Sequence, residues 1–259
     1  MTVTHQQRAG GGVPSAGQAS YVYAIVPAAT ELVPDLAGLD DQPVGLIRHG
    51  SVGAIVGSVP SGRPLGRRND LIAHMRVVDV MATQGPTVPV RFGSVLTDAA
   101  EVESDLLAPN TSYFSDVLAY VAGRRQFIVR GRYDEETVLA EIVSERRDIA
   151  ELRDRTRELP DDVGLAEKVH LGELVSHALD AKRADDARAV LERLRPHAVD
   201  WNTRASADVD DLIHVSLLVD DHDRDTFEEA AEAAATALAG RARLRLLGPS
   251  AAYDFVPDV

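Results

Sequence analysis

The chain has 259 residues, 45% of them hydrophobic but only 5% aromatic, with no cysteine and a formal net charge of −14. Without cysteine there are no disulfides, thiolate nucleophiles or thiolate metal ligands, and with few aromatics the core must rest on Val, Leu, Ile and Ala. The acidic balance disfavours nucleic acid and anionic lipid as partners, and no apolar run approaches the roughly 20 residues that a membrane helix needs.

Residues 1–20, with Gly10, Gly11 and Gly12 in a row, read as a polar, disordered tail. Structure is expected to begin at YVYAIV, Tyr21 to Val26, which is apolar on both faces, as in a strand covered on both sides. Two further apolar runs, Val44 to Arg48 and Val52 to Val59, form a hairpin turned at His49-Gly50-Ser51. The spacing of Leu71, Met75, Val78 and Ala82 predicts a helix over 70–83 with that stripe buried, and Gly85-Pro86 stops it. TVPVRFGSV, residues 87–95, alternates and places Val88, Val90 and Phe92 on one face. Pro89 cannot donate a ladder hydrogen bond, so this reads as an edge strand. Two short helices follow, one after Asp98 and one capped near Thr111 or Ser112.

Gly123 is the expected domain boundary. Past it, Phe127, Val129 and Tyr133 point inward from a strand over 125–133, and a long helical stretch runs from Asp134 to about Arg195, with breaks expected near Pro160 and Ala181. Residues 199–206 alternate strictly, which puts Val199, Trp201, Thr203 and Ala205 inward. Residues 212–219 do the same with Ile213, Val215, Leu217 and Val219. Asp220, Asp221 and Asp223 open a helix whose stripe is Phe227, Ala230 or Ala231, Ala234 and Leu238, and Gly240 ends it. A last strand over 241–247 turns Leu244 and Leu246 inward, with Arg241, Arg243 and Arg245 outward. The order β-α-β-β-α-β predicts an α+β protein in which an N-terminal α+β domain, 21–122, precedes a ferredoxin-like domain, 123–247, with extra helices in its first crossover. Residues 248–259 form a C-terminal tail packing back on the body.

Three segments, in this order, resemble the gas vesicle accessory family GvpF/GvpL, its GvpF-like members first. They are YVYAIV at 21–26, TVPVRFGSV at 87–95 behind the helix that carries His74 and Val78, and GPSAAYDF at 248–255. The closing segment in that family reads more like Gly-Pro-Trp-Pro-Pro-Tyr-x-Phe, whereas Ser250, Ala251 and Ala252 stand here in place of the Trp and two prolines. The resemblance implies two domains, no catalytic residues, and a minor gas vesicle component that assists assembly. It would bind the hydrophobic GvpA-like shell protein and other accessory proteins, in the cytoplasm and at the vesicle, and keep the shell protein from aggregating. The partner-binding candidates are Pro89, Arg91, Phe92 and Gly93, with Tyr253 and Phe255; Pro89 in particular marks an edge that could pair with the partner. The alternative is a ferredoxin-like small-molecule-binding regulator or a degenerate enzyme.

Other constellations carry little chemistry. His170, Glu173 and His177 share a helical face but border the apolar residues Leu171, Leu174, Val175 and Ala178, with no HExxH motif to make a metal site. His74 lies one turn after Asp70 and is expected to pair with it. His214 and Ser216 share a strand face without a nucleophile elbow, and Gly45, Gly50, Gly53 and Gly57 open no helix, so no phosphate loop or cofactor site is expected. Arg91-Phe92-Gly93 is equally a functional loop or a packed Phe92 beside a bend at Gly93. Finally, Arg243 and Arg245 should neighbour Arg130 and Arg132 on the outer face of the last sheet. With the aromatics turned inward, that patch suits intramolecular or protein–protein pairing better than bases.

Overall fold

Strand β1 (Ala19–Pro27) is buried from Ala19 to Val26, which a strand tolerates when both faces carry mainly apolar or satisfied side chains; the buried Ser20 hydroxyl is an exception, with no hydrogen-bond partner among the described residues. It begins two residues before the expected start, so Ala19 and Ser20 belong to the sheet and not to the tail; residues 1–17 of the expected tail lie outside the described residues. The computed structural model describes residues 18–157, 164–205 and 208–256. The chain divides into two compact units, Met1–Gln126 together with Pro249–Val259, and Phe127–Gly248.

In the first unit the sheet order is β2-β3-β1-β4, with β5 (Val95–Leu96) also on β1. The hairpin of β2 (Val44–His49) and β3 (Val52–Val59) pairs in antiparallel register, Val44 opposite Gly57 and His49 opposite Val52. Gly50 supplies the positive φ of 55° at its turn. Helix α1 (Arg68–Gln84) lies on β1 and buries Asp70, His74, Val77, Val78, Met81 and Ala82. The expected stripe was therefore half wrong. Val78 and Ala82 are inside, but Leu71 and Met75 are 44% and 43% exposed. The helix is rotated because His74 and Asp70, polar in sequence, have buried partners that draw them in. Strand β4 (Val88–Pro89) sits at the end of the sheet, as Pro89 requires, but Thr87 to Val90 are all buried and a later helix packs against β4. That edge is covered rather than open. A single turn α2 (Ala99–Glu101) follows, with the Asp98 carboxylate accepting from the Glu101 amide at 2.9 Å. The packing helix on β4 is α3 (Thr111–Val121).

The second unit holds the sheet β7-β8-β6-β9. Strand β6 (Arg124–Tyr133) alternates as expected, and Phe127, Val129 and Tyr133 enter the core. The helical stretch is α4 (Glu135–Glu145), α5 (Arg147–Arg157) and α6 (Leu165–Leu194). One break falls at Arg146, which leaves the helical region at φ −114° and ψ 96°. The expected break at Ala181 does not occur, since α6 passes through it for 30 residues; the one near Pro160 lies outside the described residues. Strand β8 (Asp211–Asp220) is buried along both faces, and helix α7 (Arg224–Ala237) contributes Phe227, Ala231 and Ala234, with Leu238 just beyond its end.

Two expectations about side-chain burial fail at the sheet margins. Strand β7 (Asp200–Thr203) is exposed throughout, and Trp201 is 38% exposed. Its register is nevertheless consistent with the alternation: Trp201 pairs with Leu217, a core residue, so the two share a face. The strand is the outermost of the sheet and only four residues long, so its inward face overhangs the core and is not covered by it. The Arg195 guanidinium occupies that place, 4.0 Å from the indole centroid. On β9 (Ala242–Ser250), Leu244 packs against the core while Leu246 stays 38% exposed. Arg241, expected to face solvent, turns instead to the buried Asp186, which also accepts from the Tyr133 hydroxyl at 2.7 Å.

These positions separate a buried from a marginal aromatic. Phe227→Ala should cost about 3–5 kcal/mol, whereas Trp201→Ala should cost about 1 kcal/mol or less, the worth of an exposed cation–π contact. Urea unfolding of both variants measures the contrast; equal losses would return Trp201 to the core.

Candidate functional site

The expected site residues gather where β1, α1 and the segment after β4 meet. Tyr21 and Tyr23 are neighbours on β1, with ring centroids 4.8 Å apart and both rings buried. The buried His74 ring stacks near Tyr23 at 5.8 Å and meets Phe92 edge-on at 5.6 Å. Such pairs add about 0.5–1.5 kcal/mol each beyond their burial.

A chain of hydrogen bonds runs through this cluster. The Gly93 amide donates to the Tyr21 hydroxyl at 3.1 Å, and that hydroxyl lies 3.0 Å from His74 Nδ1. The imidazole also bonds the Val90 backbone. A neutral ring satisfies both contacts if Nε2–H donates to the Val90 carbonyl and Nδ1 accepts from Tyr21. Burial pushes the His74 pKa down to about 4, which keeps the ring neutral, and pushes Tyr21 up to about 12. Two side chains thus tie down the loop that follows Pro89. Gly93 adopts φ 95° there, and the Ser94 amide and hydroxyl both donate to the Arg91 carbonyl, at 3.2 and 2.8 Å. Between Phe92 as a packed residue and Arg91-Phe92-Gly93 as a functional loop, the geometry divides the motif. Phe92 packs on the core, Gly93 bends at the surface, and Arg91 is the side chain presented to solvent.

His74 does not pair with Asp70. The Asp70 carboxylate accepts from Arg63 at 2.7 Å and from the Arg67 amide at 3.2 Å, and the Arg63 hydrogen bond holds its pKa below the usual range. Arg63 also reaches Asp40 at 2.7 Å, so one guanidinium joins the loop after β1 to the first turn of α1. Sequence spacing favoured the local partner; the actual one lies seven residues upstream in a loop.

The C-terminal segment supports the same region. Ala251 and Ala252 are buried, Tyr253 is packed against the first core, and the Ala251 amide donates to Asp79 of α1 at 3.2 Å. Gln126 and Asp254 exchange two hydrogen bonds of 2.9 and 2.8 Å. Phe255 is half-buried in the closing turn. Tyr253 and Phe255 thus pack as struts, while Arg91 is open. Sequence reasoning missed a surface on α1: Leu71, Ile72 and Met75 are exposed on the turns that carry His74, with Ile72 at 51%. Its only signal was the apolar stripe, which was read as core.

Elsewhere, His170 and Glu173 lie 3.8 Å apart on an exposed face of α6 and His177 is exposed too. Two other groups bring three potential ligands together, Asp220-His222-Asp223 and Asp208-Asp210-Asp211, and Arg132 already neutralises the second. Among the described residues no helix is long and apolar enough to cross a membrane.

The buried histidine makes a pH prediction. Its folded pKa, about 4, lies below its ordinary 6.5, so the unfolded chain binds more protons between those values. The stabilisation is complete above pH 6.5 and is lost as pH falls towards 4, by about 3 kcal/mol at most. Denaturant unfolding from pH 7 to 4 should show this slope, and His74→Gln should flatten it relative to the parent; an unchanged slope would mean the ring is not held neutral.

Comparison with known proteins agrees with this arrangement. The family model described as gas vesicle synthesis protein GvpL/GvpF matches residues 19–257. A relative from Streptomyces sp. (strain CB03234), "Gas vesicle protein F", is 27% identical over 92% of this chain and 99% of its own length. Its namesake in Microcystis aeruginosa is 23% identical over 91% and 96%. Among solved structures, the gas vesicle protein GvpF from Anabaena sp. PCC7120 superposes with a TM-score of 0.81 at 22% identity, covering 93% of this chain and 99% of that one. GvpF from Microcystis aeruginosa gives 0.75 at 22%, covering 92% and 98%. With β1, the Pro89–Gly93 loop and the closing segment assembled about one aromatic cluster, and a family match spanning nearly the whole chain, the chain belongs to the gas vesicle synthesis protein GvpL/GvpF family.

Proposed function

We propose that this chain is a cytoplasmic, vesicle-associated assembly factor that binds the hydrophobic shell subunit through its first unit and keeps it from aggregating while the wall nucleates. The observation that carries this reading is the exposed apolar group Leu71, Ile72 and Met75 on α1, the helix whose buried His74 meets the loop that offers Arg91. Contiguous apolar side chains left in water are a mark of interaction surface. A subunit with exposed apolar faces and unpaired strand edges needs such a cover, and a strongly acidic carrier keeps the pair soluble.

Recognition by a helix face replaces the strand-edge pairing expected at Pro89, whose surroundings are buried. Pro89, Phe92, Gly93, Tyr253 and Phe255 then act by holding the first unit in shape, and Arg91 offers a polar contact. A carrier must also release its cargo, so a modest interface and an affinity near micromolar, about −8 kcal/mol, fit the role. The second unit reads as a ferredoxin-like domain with helical insertions. Support for this comes from its element order, β6, three helices, β7, β8, α7 and β9, and from its strand order β7-β8-β6-β9. The division at Gln126 and Pro249 likewise supports a boundary near Gly123 and a tail that rejoins the first domain.

Co-expression with the shell subunit tests the role. The parent chain should raise the soluble fraction of the subunit. The double variant Leu71→Asp/Met75→Asp should return it to the level without the chain, while its own melting temperature stays put because both sites are exposed. A soluble fraction indifferent to the parent chain would end the carrier reading.

A further inference from the structure

The second unit carries a surface of opposite character. Because Phe127, Val129 and Tyr133 point into the core, Arg130 and Arg132 point out from β6, and Arg243 and Arg245 flank the inward Leu244 on the neighbouring β9. The four arginines line one groove of about 510 Å³, bordered by Tyr133, Asp134, Glu135 and Asp210. Like charges on paired strands repel, yet the chain supplies counter-ions for only part of the block. Arg132 meets Asp208, Asp210 and Asp211 at 3.1, 2.7 and 3.4 Å, and Arg243 lies near enough to Asp134 to help lower its pKa. Arg130 and Arg245 are exposed, and among the described residues neither has a hydrogen bond or an ion pair. In a chain with 41 acidic side chains this is an unspent pair of cations on a rigid sheet.

We propose that this face docks a short acidic segment of a partner protein, its carboxylates bound by Arg130 and Arg245. Carboxylate is the anion the groove already takes, as Asp210 on Arg132 shows at 2.7 Å, and the planar guanidinium fork matches it with two parallel hydrogen bonds. A nucleic acid fits less well. The aromatic rings of β6 face inward, the Tyr133 hydroxyl is committed to Asp186, and Trp201 lies on the opposite edge strand under Arg195. Among the described residues the one ring bordering the groove, Tyr133, is buried and held by Asp186, which leaves no exposed ring for a base to stack on. The carboxylates at the rim, Asp134, Glu135 and Asp210, would also repel a long polyanion crossing the groove but leave room for a short one. This site lies on the second unit, whereas the apolar surface of α1 belongs to the first.

The test uses the full chain and an acetylated hexaglutamate peptide, with binding followed by fluorescence anisotropy at low salt. Binding should weaken as salt rises, and the exposed double variant Arg130→Glu/Arg245→Glu should lose it by about tenfold or more, as for two charge-assisted contacts, with no change in melting temperature. A hexauridylate of similar charge should bind more weakly than the peptide. No peptide binding at low salt, equal binding by the double variant, or tighter binding of the oligonucleotide would each overturn the proposal. Sedimentation at low salt completes it: a monomeric chain is expected, and self-association abolished by the double variant would make the occupant a second copy and overturn the proposal.

Discussion

The first unit depends on a strand buried on both faces that nevertheless carries two phenolic hydroxyls. β1 is paired with β3 on one edge and with β4 and β5 on the other, and α1 and α3 pack against it, so water cannot reach Tyr21 or Tyr23 to satisfy them. An unpaired buried hydroxyl costs about 1–3 kcal/mol, and both are paired to backbone amides, Tyr23 with Leu39 at 2.8 Å and Tyr21 with Gly93. Each bond fixes a loop that would otherwise be loosely held. The approach at Gly38 shows how tight this is: a Cβ there would sit 2.1 Å from the Tyr23 hydroxyl, so only glycine lets residue 38 pass beside it.

The second unit solves a related problem with charge. Asp186 is buried on α6 and accepts from Tyr133 of β6 and from Arg241 just before β9. Nearby, Lys182 reaches Glu141 and Glu145 of α4 at 3.0 and 2.9 Å. Helices that pack through small apolar residues can slide, whereas a carboxylate with two donors has one place to go. Such a pair adds little net stability and mainly sets which turn of α6 faces which strand.

Legibility from sequence followed coverage. Strands flanked by other strands, such as β1, β6 and β8, were readable because their alternation or continuous apolarity is dictated from both sides. At the margins the same patterns misled. Trp201 and Leu246 alternate correctly but have nothing above them, and Leu71 and Met75 form a helical stripe that the buried His74 and Asp70 displace. Periodicity reports which residues share a face and is silent on what covers it. The break at Arg146 had no glycine or proline to announce it. Of the site, Phe92 and Gly93 were visible in the motif, but what holds them was not: the Gly93 amide donates to Tyr21, 72 positions away, and Tyr21 in turn bonds His74, 53 positions away, whose ring meets Phe92 edge-on.

The placement of the one tryptophan has a spectroscopic consequence. The chain contains a single indole, and it lies on an edge strand, partly hydrated, with a guanidinium 4.0 Å above its ring. Its emission is therefore a local gauge of the β7 margin. A partner that extends the sheet at that edge would dry the ring and shift the emission to the blue, while binding at the arginine groove, across the same sheet on β6 and β9, would leave it unmoved. Nature has in effect labelled one border of this sheet and left its arginine groove dark.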